Sequence, residues 1–337
     1  MRKFIFILII ALIFLSGCGV MEEFEEAVDI TDETEYLVTI PKGASTTSIA
    51  KLLVEYEMIY NEFVFKTKVK ELEYDGKLKA GDYKLSKSYD LEKIIKKLYD
   101  GDVYIETIQF TIPEGLELDE IVDVLLKENI IENREIFLDV YKQEMANYEL
   151  INNLDIVNYE GFLFPDTYVL KKGATDKEIV KIMLDRFVKL FDEETVKYIS
   201  DNDLDLYELI VLASIIEREI MVADEQVIAS SVFHNRLDIS MKLQSCATVQ
   251  YVIAERKALL TNKDIAIDNE YNTYKYLGLP PGPICSPGEG SIRAAIYPAD
   301  TDFLYFVRSY KNDNSHIFST NLADHNKAKQ KLYKENN

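Results

Sequence analysis

Glu217 is a carboxylate in a largely apolar stretch, Tyr207-Glu-Leu-Ile-Val-Leu-Ala-Ser-Ile-Ile-Glu-Arg-Glu-Ile-Met221. At about 100° per residue, Leu209, Ala213, Ile216 and Ile220 form one stripe, with Glu217 on its edge. Val211 and Ile215 cover much of the far side and Arg218 points away, so the stretch reads as a buried helix. An ionised carboxylate there is costly unless it is paired or serves a purpose. Tied to an Arg or a backbone amide, Glu217 would be structural. Kept protonated by its setting, it can serve as a general acid. Glu219 lies about 200° round the helix from Glu217, too far to share a site with it, and is expected to be a structural ion-pair partner.

The elements around this helix begin with a basic tip, Met1-Arg2-Lys3, and twelve unbroken apolar residues from Phe4 to Leu15. A permanent membrane span needs about 20 residues, whereas a run this short suits a secretory signal. It ends in Leu15-Ser16-Gly17-Cys18, which resembles the bacterial lipobox. That resemblance implies a lipoprotein signal peptide over residues 1–17, lipidation of Cys18 and an extracytoplasmic position at the cell membrane. An uncleaved N-terminal anchor is the alternative. Residues 18–35 read as an acidic tether.

The rest, about 320 residues, is long enough for two domains. At 47% hydrophobic it can bury a sizeable core. The net charge of −21 excludes a nucleic-acid interface, which needs a basic face, and leaves the lipid as the membrane tether. With no Trp, sugar stacking falls to Tyr or Phe. Beyond Cys18 only Cys246 and Cys285 remain, and outside the cell they can form one disulfide. No Cys/His cluster has zinc-like spacing, so neither a metal nor another cofactor is expected.

A unit repeats. Val38-Thr-Ile-Pro-Lys-Gly43 returns as Phe110-Thr-Ile-Pro-Glu-Gly115, and Ile49, Leu53, Ile59, Asn61 and Phe65 match Ile121, Leu125, Ile131, Asn133 and Phe137 without gaps. Tyr83-Lys-Leu85 then matches Tyr168-Val-Leu170. Two β-α-α-β-type modules follow, the later one at about residues 107–190 with Glu160–Tyr168 inserted. Helices are expected over Leu206–Met221, over Asp224–Leu237 with Asp224 as N-cap, and over Ser291–Tyr297. Phe303–Arg308 reads as a buried strand. The Gly278–Gly288 loop, with three Gly and four Pro, reads as rigid.

The repeated modules resemble LysM, a small glycan-binding fold. Further on, Ala213–Glu219, Phe233-His-Asn-Arg-Leu237, Leu243-Gln244, Thr248-Val249, Tyr271-Asn-Thr-Tyr274, Gly278–Gly282 and the His316 to Asn326 tail follow one another in an order and spacing that resemble the endolytic murein transglycosylases, the MltG or YceG-like family. The resemblance covers about residues 36–330. It implies an α+β fold: a small LysM-like β-α-α-β module over residues 36–105, then a larger mixed α+β catalytic domain over 106–337 with Glu217 on a buried helix.

The resemblance further implies cleavage of peptidoglycan between N-acetylmuramic acid and N-acetylglucosamine, leaving 1,6-anhydro ends, beside peptidoglycan synthases at the membrane. Glu217 occupies the family's catalytic position. One carboxyl suffices where the substrate's own C6 hydroxyl is the nucleophile, whereas hydrolases use two. Desolvation by Ile210, Ala213 and Ile216 is expected to raise its pKa. Gln244, Asn272, Tyr274 and Asn235 are candidate sugar contacts; the first three equally suit loop hydrogen bonding, Asn235 and Arg236 better suit locking of the two helices, and Asp166 or Glu160 would be a second carboxylate only by tertiary contact. His316 and His325 read as turn or capping residues. Cys246-Ala247 stands where many members have Asp-Pro, which puts an acidic helper there in doubt. A Cys246–Cys285 bond would pin the Pro-rich loop. The competing class is a non-enzymatic lipoprotein that binds glycan or solute.

Overall fold

The computed structural model describes residues 23–253, 255–311 and 313–335. The expected signal segment and Cys18 lie outside them. Among the described residues no helix is long and apolar enough to cross a membrane. The chain divides into two units, up to Glu106 and from Thr107 onward.

In the first unit β1 (Glu35–Ile40) leads to α1 (Thr46–Glu55), α2 (Glu62–Glu71), β2 (Gly81–Ser86) and α3 (Leu91–Asp100). The strands pair antiparallel with Val38 opposite Tyr83. Each helix starts on a side-chain cap: Ser45 accepts from the Ser48 N–H, Asn61 from Phe63 and Val64, and Asp90 from Lys93. The sheet has one face to bury, and Val38, Ile40, Tyr83 and Leu85 close against Ile49, Leu53, Phe65, Ile94 and Leu98. The expected tether is not a free linker over its described part. The Asp29 N–H donates to Lys87 O, Ser88 to Asp32 O and Leu91 to Glu25 O. The turn before α3 has unpaired backbone groups, and this segment satisfies them.

The second unit opens on the same plan: β3 (Thr107–Thr111), α4 (Leu118–Lys127), α5 (Arg134–Met145), the short α6 (Glu149–Asn152), β4 (Thr167–Lys171) and α7 (Asp176–Val188). Phe110 faces Tyr168 across the ladder, as Val38 faces Tyr83. Both tyrosines donate their hydroxyl four residues back, Tyr83 to Lys79 O and Tyr168 to Phe164 O. Glu57 and Asn129, at matching places after α1 and α4, both have positive φ. Every matched apolar pair, from Ile49/Ile121 to Phe65/Phe137, is buried in both copies. The repeat is thus a repeat of core positions, each worth about 1.5–3 kcal/mol of burial.

Beyond the repeat come α8 (Glu193–Asp201), α9 (Leu206–Glu219), α10 (Ala223–Asp238), α11 (Cys246–Val252), α12 (Glu289–Ile296), β5 (Tyr305–Arg308), β6 (His316–Ser319) and α13 (Leu322–Glu335). Capped by Asp205, α9 is buried without a break from Leu209 to Ile216, as its all-round apolar pattern requires. Its buried Ser214 hydroxyl donates to Val211 O and accepts the Ile284 N–H.

Several boundaries differ from expectation. Helix α9 stops at Glu219 because Ile220 turns to extended dihedrals. Val222 is the N-cap of α10, and Asp224 sits in its first turn, where a carboxylate suits the helix dipole. Helix α12 starts at Glu289. Strand β5 starts at Tyr305 and is part-buried, because the Phe303 and Leu304 carbonyls are taken by the Asn235 and Arg236 side chains. Phe137→Ala should empty a fully buried site and lower stability by about 3–5 kcal/mol, read as a fall in the urea midpoint; an unchanged midpoint would contradict this packing.

Candidate active site

Glu217 lies at the C-terminal end of α9, where the helix leaves the core, and its side chain is half-buried. Its Oε2 accepts the Gly288 N–H at 3.1 Å and the Ser291 hydroxyl at 2.8 Å. These belong to the first turn of α12, whose N-cap Gly288 has no side chain to satisfy the orphan donors of that turn. Glu217 supplies the missing cap from another element. Oε1 makes no hydrogen bond among the described residues. It faces Gly115, where a Cβ would lie 3.9 Å from it. The apolar enclosure expected from Ile210, Ala213 and Ile216 is therefore not what surrounds the carboxyl. Those residues are buried behind it, and polar donors meet it in front.

The turn of the second repeat closes the other side. Gly115 has φ +76°, and its N–H donates to Ser286 O while Ser286 donates to Leu116 O. Arg218 does not point away: its Nη1 donates to Gly115 O at 2.7 Å. The Pro113-Glu114-Gly115 turn is thus held to both α9 and the Pro-rich loop. It brings in a carboxyl missing from the expected set. A Cβ on Gly288 would lie 2.0 Å from Glu114 Oε1. Burial, and next the charge of Glu217, hold the Glu114 carboxyl above the usual range. A signal for Glu114 lay in the repeat itself, where the first copy has an exposed Lys42 in the same turn.

The candidate sugar contacts are not gathered here. Asn272 is fully buried and spends its side chain on Ile265 O, Ile267 O and the Tyr274 N–H. Asn235 donates to Thr301 O and Phe303 O, and Arg236 to Leu304 O, Lys242 O and Leu243 O. Both lock α10 to neighbouring loops rather than to another helix. Gln244 is exposed with φ +52°, and its N–H donates to Thr273 O. The half-buried Tyr274 hydroxyl meets Cys246 Sγ at 3.1 Å, and burial pushes it up. This group collects at the start of α11, beside Glu219. Glu219 is a cap rather than an ion-pair partner, accepting from the Ser245 hydroxyl and the Ala247 N–H.

Asp166 is paired with Arg186 at 2.7 Å, and Glu160 accepts the Leu118 N–H at 2.8 Å, so neither is bonded at Glu217. His316 binds Glu225 through Nδ1 and its N–H. His325 packs on Tyr305, and burial lowers its pKa. The disulfide is absent. Cys246 and Cys285 are free thiols, the first exposed and the second buried with its S–H directed at Ser214 O. The Pro-rich loop is held instead by Ser214 and by the Gly115–Ser286 pairing.

Of these two, a thiol reagent under native conditions should therefore label Cys246, with Cys285 reacting only after unfolding; mass spectrometry finding the two joined would overturn this. Burial, opposed by the Leu118 N–H, raises Glu160 to about 8. A carboxyl raised on folding contributes stability that is whole below its unfolded pKa and lost as pH climbs through the folded value. Between about pH 5 and about pH 9 the wild-type melting temperature should fall more steeply than that of Glu160→Gln; parallel curves would refute this.

The YceG-like family model matches residues 38–331. An endolytic murein transglycosylase of Bacillus subtilis is 34% identical, over 98% of this chain and 92% of its own length. One from Streptococcus pneumoniae is 30% identical over 90% of this chain, which spans only 60% of that relative. The crystal structure of a YceG-like protein from Listeria monocytogenes is 32% identical with a TM-score of 0.57, covering 87% of this chain and 98% of that one. With the family model spanning both units and a relative 34% identical over nearly the whole length, the chain belongs to the YceG-like family.

Proposed function

We propose that the protein is an endolytic peptidoglycan lytic transglycosylase, a lyase that cuts the bond between N-acetylmuramic acid and N-acetylglucosamine with Glu217 as its acid and base. The observation that carries this is the asymmetric holding of Glu217. Two donors fix Oε2 and set the orientation of the carboxyl, while Oε1 faces the Gly115 turn without a hydrogen bond among the described residues. A reacting group held by packing and hydrogen bonds meets its substrate at low entropic cost. The names of the relatives support the substrate class.

The Glu217 carboxyl gives its proton to the glycosidic oxygen as the C1–O bond breaks. The carboxylate so formed takes the proton of the C6 hydroxyl while O6 bonds to C1. The 1,6-anhydro ring closes, no water is consumed, and the enzyme regains its proton. In this reading the first unit is a LysM-like module that holds glycan, Cys18 carries the lipid that keeps the enzyme on the outer face of the cell membrane, and newly made strands beside the synthases are its substrate.

The test is incubation of the full chain with purified sacculi or nascent strands, followed by mass spectrometry of the ends. Wild-type protein should give anhydro ends, and Glu217→Gln, with unchanged circular dichroism, should lose about 10²–10⁴-fold in rate. Reducing ends would mean a hydrolase, no cleavage a binder, and undiminished cleavage by Glu217→Gln a different catalytic group.

A further inference from the structure

Tyr60 and Phe63 stand on either side of the α2 N-cap and are 46% and 65% exposed. Helix α2 buries Val64, Phe65 and Val69. At about 100° per residue, Phe63, Lys66, Thr67 and Lys70 then share the opposite side, a stripe of one aromatic ring, one hydroxyl and two lysines. Neither lysine is ion-paired among the described residues, whereas Lys68 on the flank is paired with Glu25. Glu62 and Glu71 lie to the sides of the stripe, about 80–100° round from Phe63. The second copy of the repeat has Glu132, Glu135 and Asp139 where the first has Tyr60, Phe63 and Thr67. Closing the module's core therefore does not call for the stripe.

The start of the described chain lies beside this surface. Phe24 packs edge-on to Tyr60 at 6.0 Å, and the Tyr60 hydroxyl donates to Val28 O. Glu25 pairs with Lys68 of α2 and accepts the Leu91 N–H at the start of α3. Glu23 is five positions after Cys18, a span that can reach about 18 Å at most. A chain held to a membrane at Cys18 thus cannot let the first unit stand far off, and α2 borders the point where the chain arrives.

We propose that the outward stripe of α2, with Tyr60 at its start, is a docking surface for the outer face of the cell membrane. It rests on the reading that the chain is held to that membrane at Cys18. Phe63 and Tyr60 enter the headgroup layer, where aromatic rings are favoured, and Lys66 and Lys70 lie over anionic phospholipid. The chain's net charge of −21 keeps the rest of its surface off such a membrane, so the contact is confined to this stripe. The lipid holds the chain near the membrane, and the stripe fixes which side of the first unit faces it.

The chain has no Trp, so Phe63→Trp installs a single fluorophore. The full chain, taken from cell membranes, is reconstituted in vesicles of phosphatidylglycerol and phosphatidylethanolamine with brominated acyl chains. Leu37→Trp is the control, since Leu37 alternates with the buried Val38 and points from the sheet away from the helices. Bromine should quench the Phe63→Trp protein and leave the Leu37→Trp protein unquenched. Adding Lys66→Gln and Lys70→Gln, or replacing phosphatidylglycerol by phosphatidylcholine, should weaken docking about fivefold per lysine lost from the contact. No quenching at position 63, equal quenching at both positions, or quenching indifferent to the lysines and to lipid charge overturns the docking surface while the tether at Cys18 stands. Recovery of the chain outside the membrane fraction removes both.

Discussion

The first turn of α12 leaves backbone donors that its own helix cannot satisfy, and Glu217 reaches them from the end of α9. Much of the second unit is arranged so that this contact can form. Helix α9 runs buried until its last turn, then emerges where the loop after Pro287 begins a new helix. The Gly115 turn packs on the same place through Arg218 and Ser286. Glu217, Arg218 and Ser286 therefore join three segments far apart in sequence. A residue with this task has its orientation fixed by the fold itself.

The two copies of the repeat show how one scaffold can carry different turns. Both copies use the strand, the Pro-x-Gly turn and two capped helices to close a small core. In the first copy the turn holds an exposed Lys42. In the second it holds Glu114 against α12. The core positions of the two copies are alike in kind, whereas the turns differ. The inserted segment before β4 adds Phe162, Leu163 and Phe164 to the core, and these join the repeat to the helices behind it.

The core was legible because burial leaves a periodic mark. Ile49, Leu53 and Phe65 announced their partners Ile121, Leu125 and Phe137, and the matched pair Asn61 and Asn133 turn out to be the N-caps of α2 and α5. Glu217 was legible as an isolated charge on a greasy helix. Its surroundings were not, since Gly288 and Ser291 reach it across more than seventy residues of chain. Polar side chains outside that helix misled for a related reason. Asn272 and Asn235 have the chemistry to bind sugars, and the same chemistry lets them bind backbone carbonyls, which is where they are spent. Composition gives no means of telling which partner is nearer. The cysteine pair misled similarly, because reach depends on the loop path and not on the count of thiols.

The Pro-rich loop combines two residue types with opposite effects on the unfolded chain. Gly282 and Gly288 are needed for space and not for unusual dihedrals, since a Cβ would meet Asn158 and Tyr207 at the first and Glu114 at the second. Glycine used in this way enlarges the conformational freedom that folding must remove, and each proline curtails it. Pro280, Pro281, Pro283 and Pro287 stand beside those glycines. Alternation of this kind lets a backbone press closely against its neighbours while the denatured ensemble stays narrow, so close approach and an ordered loop are obtained together.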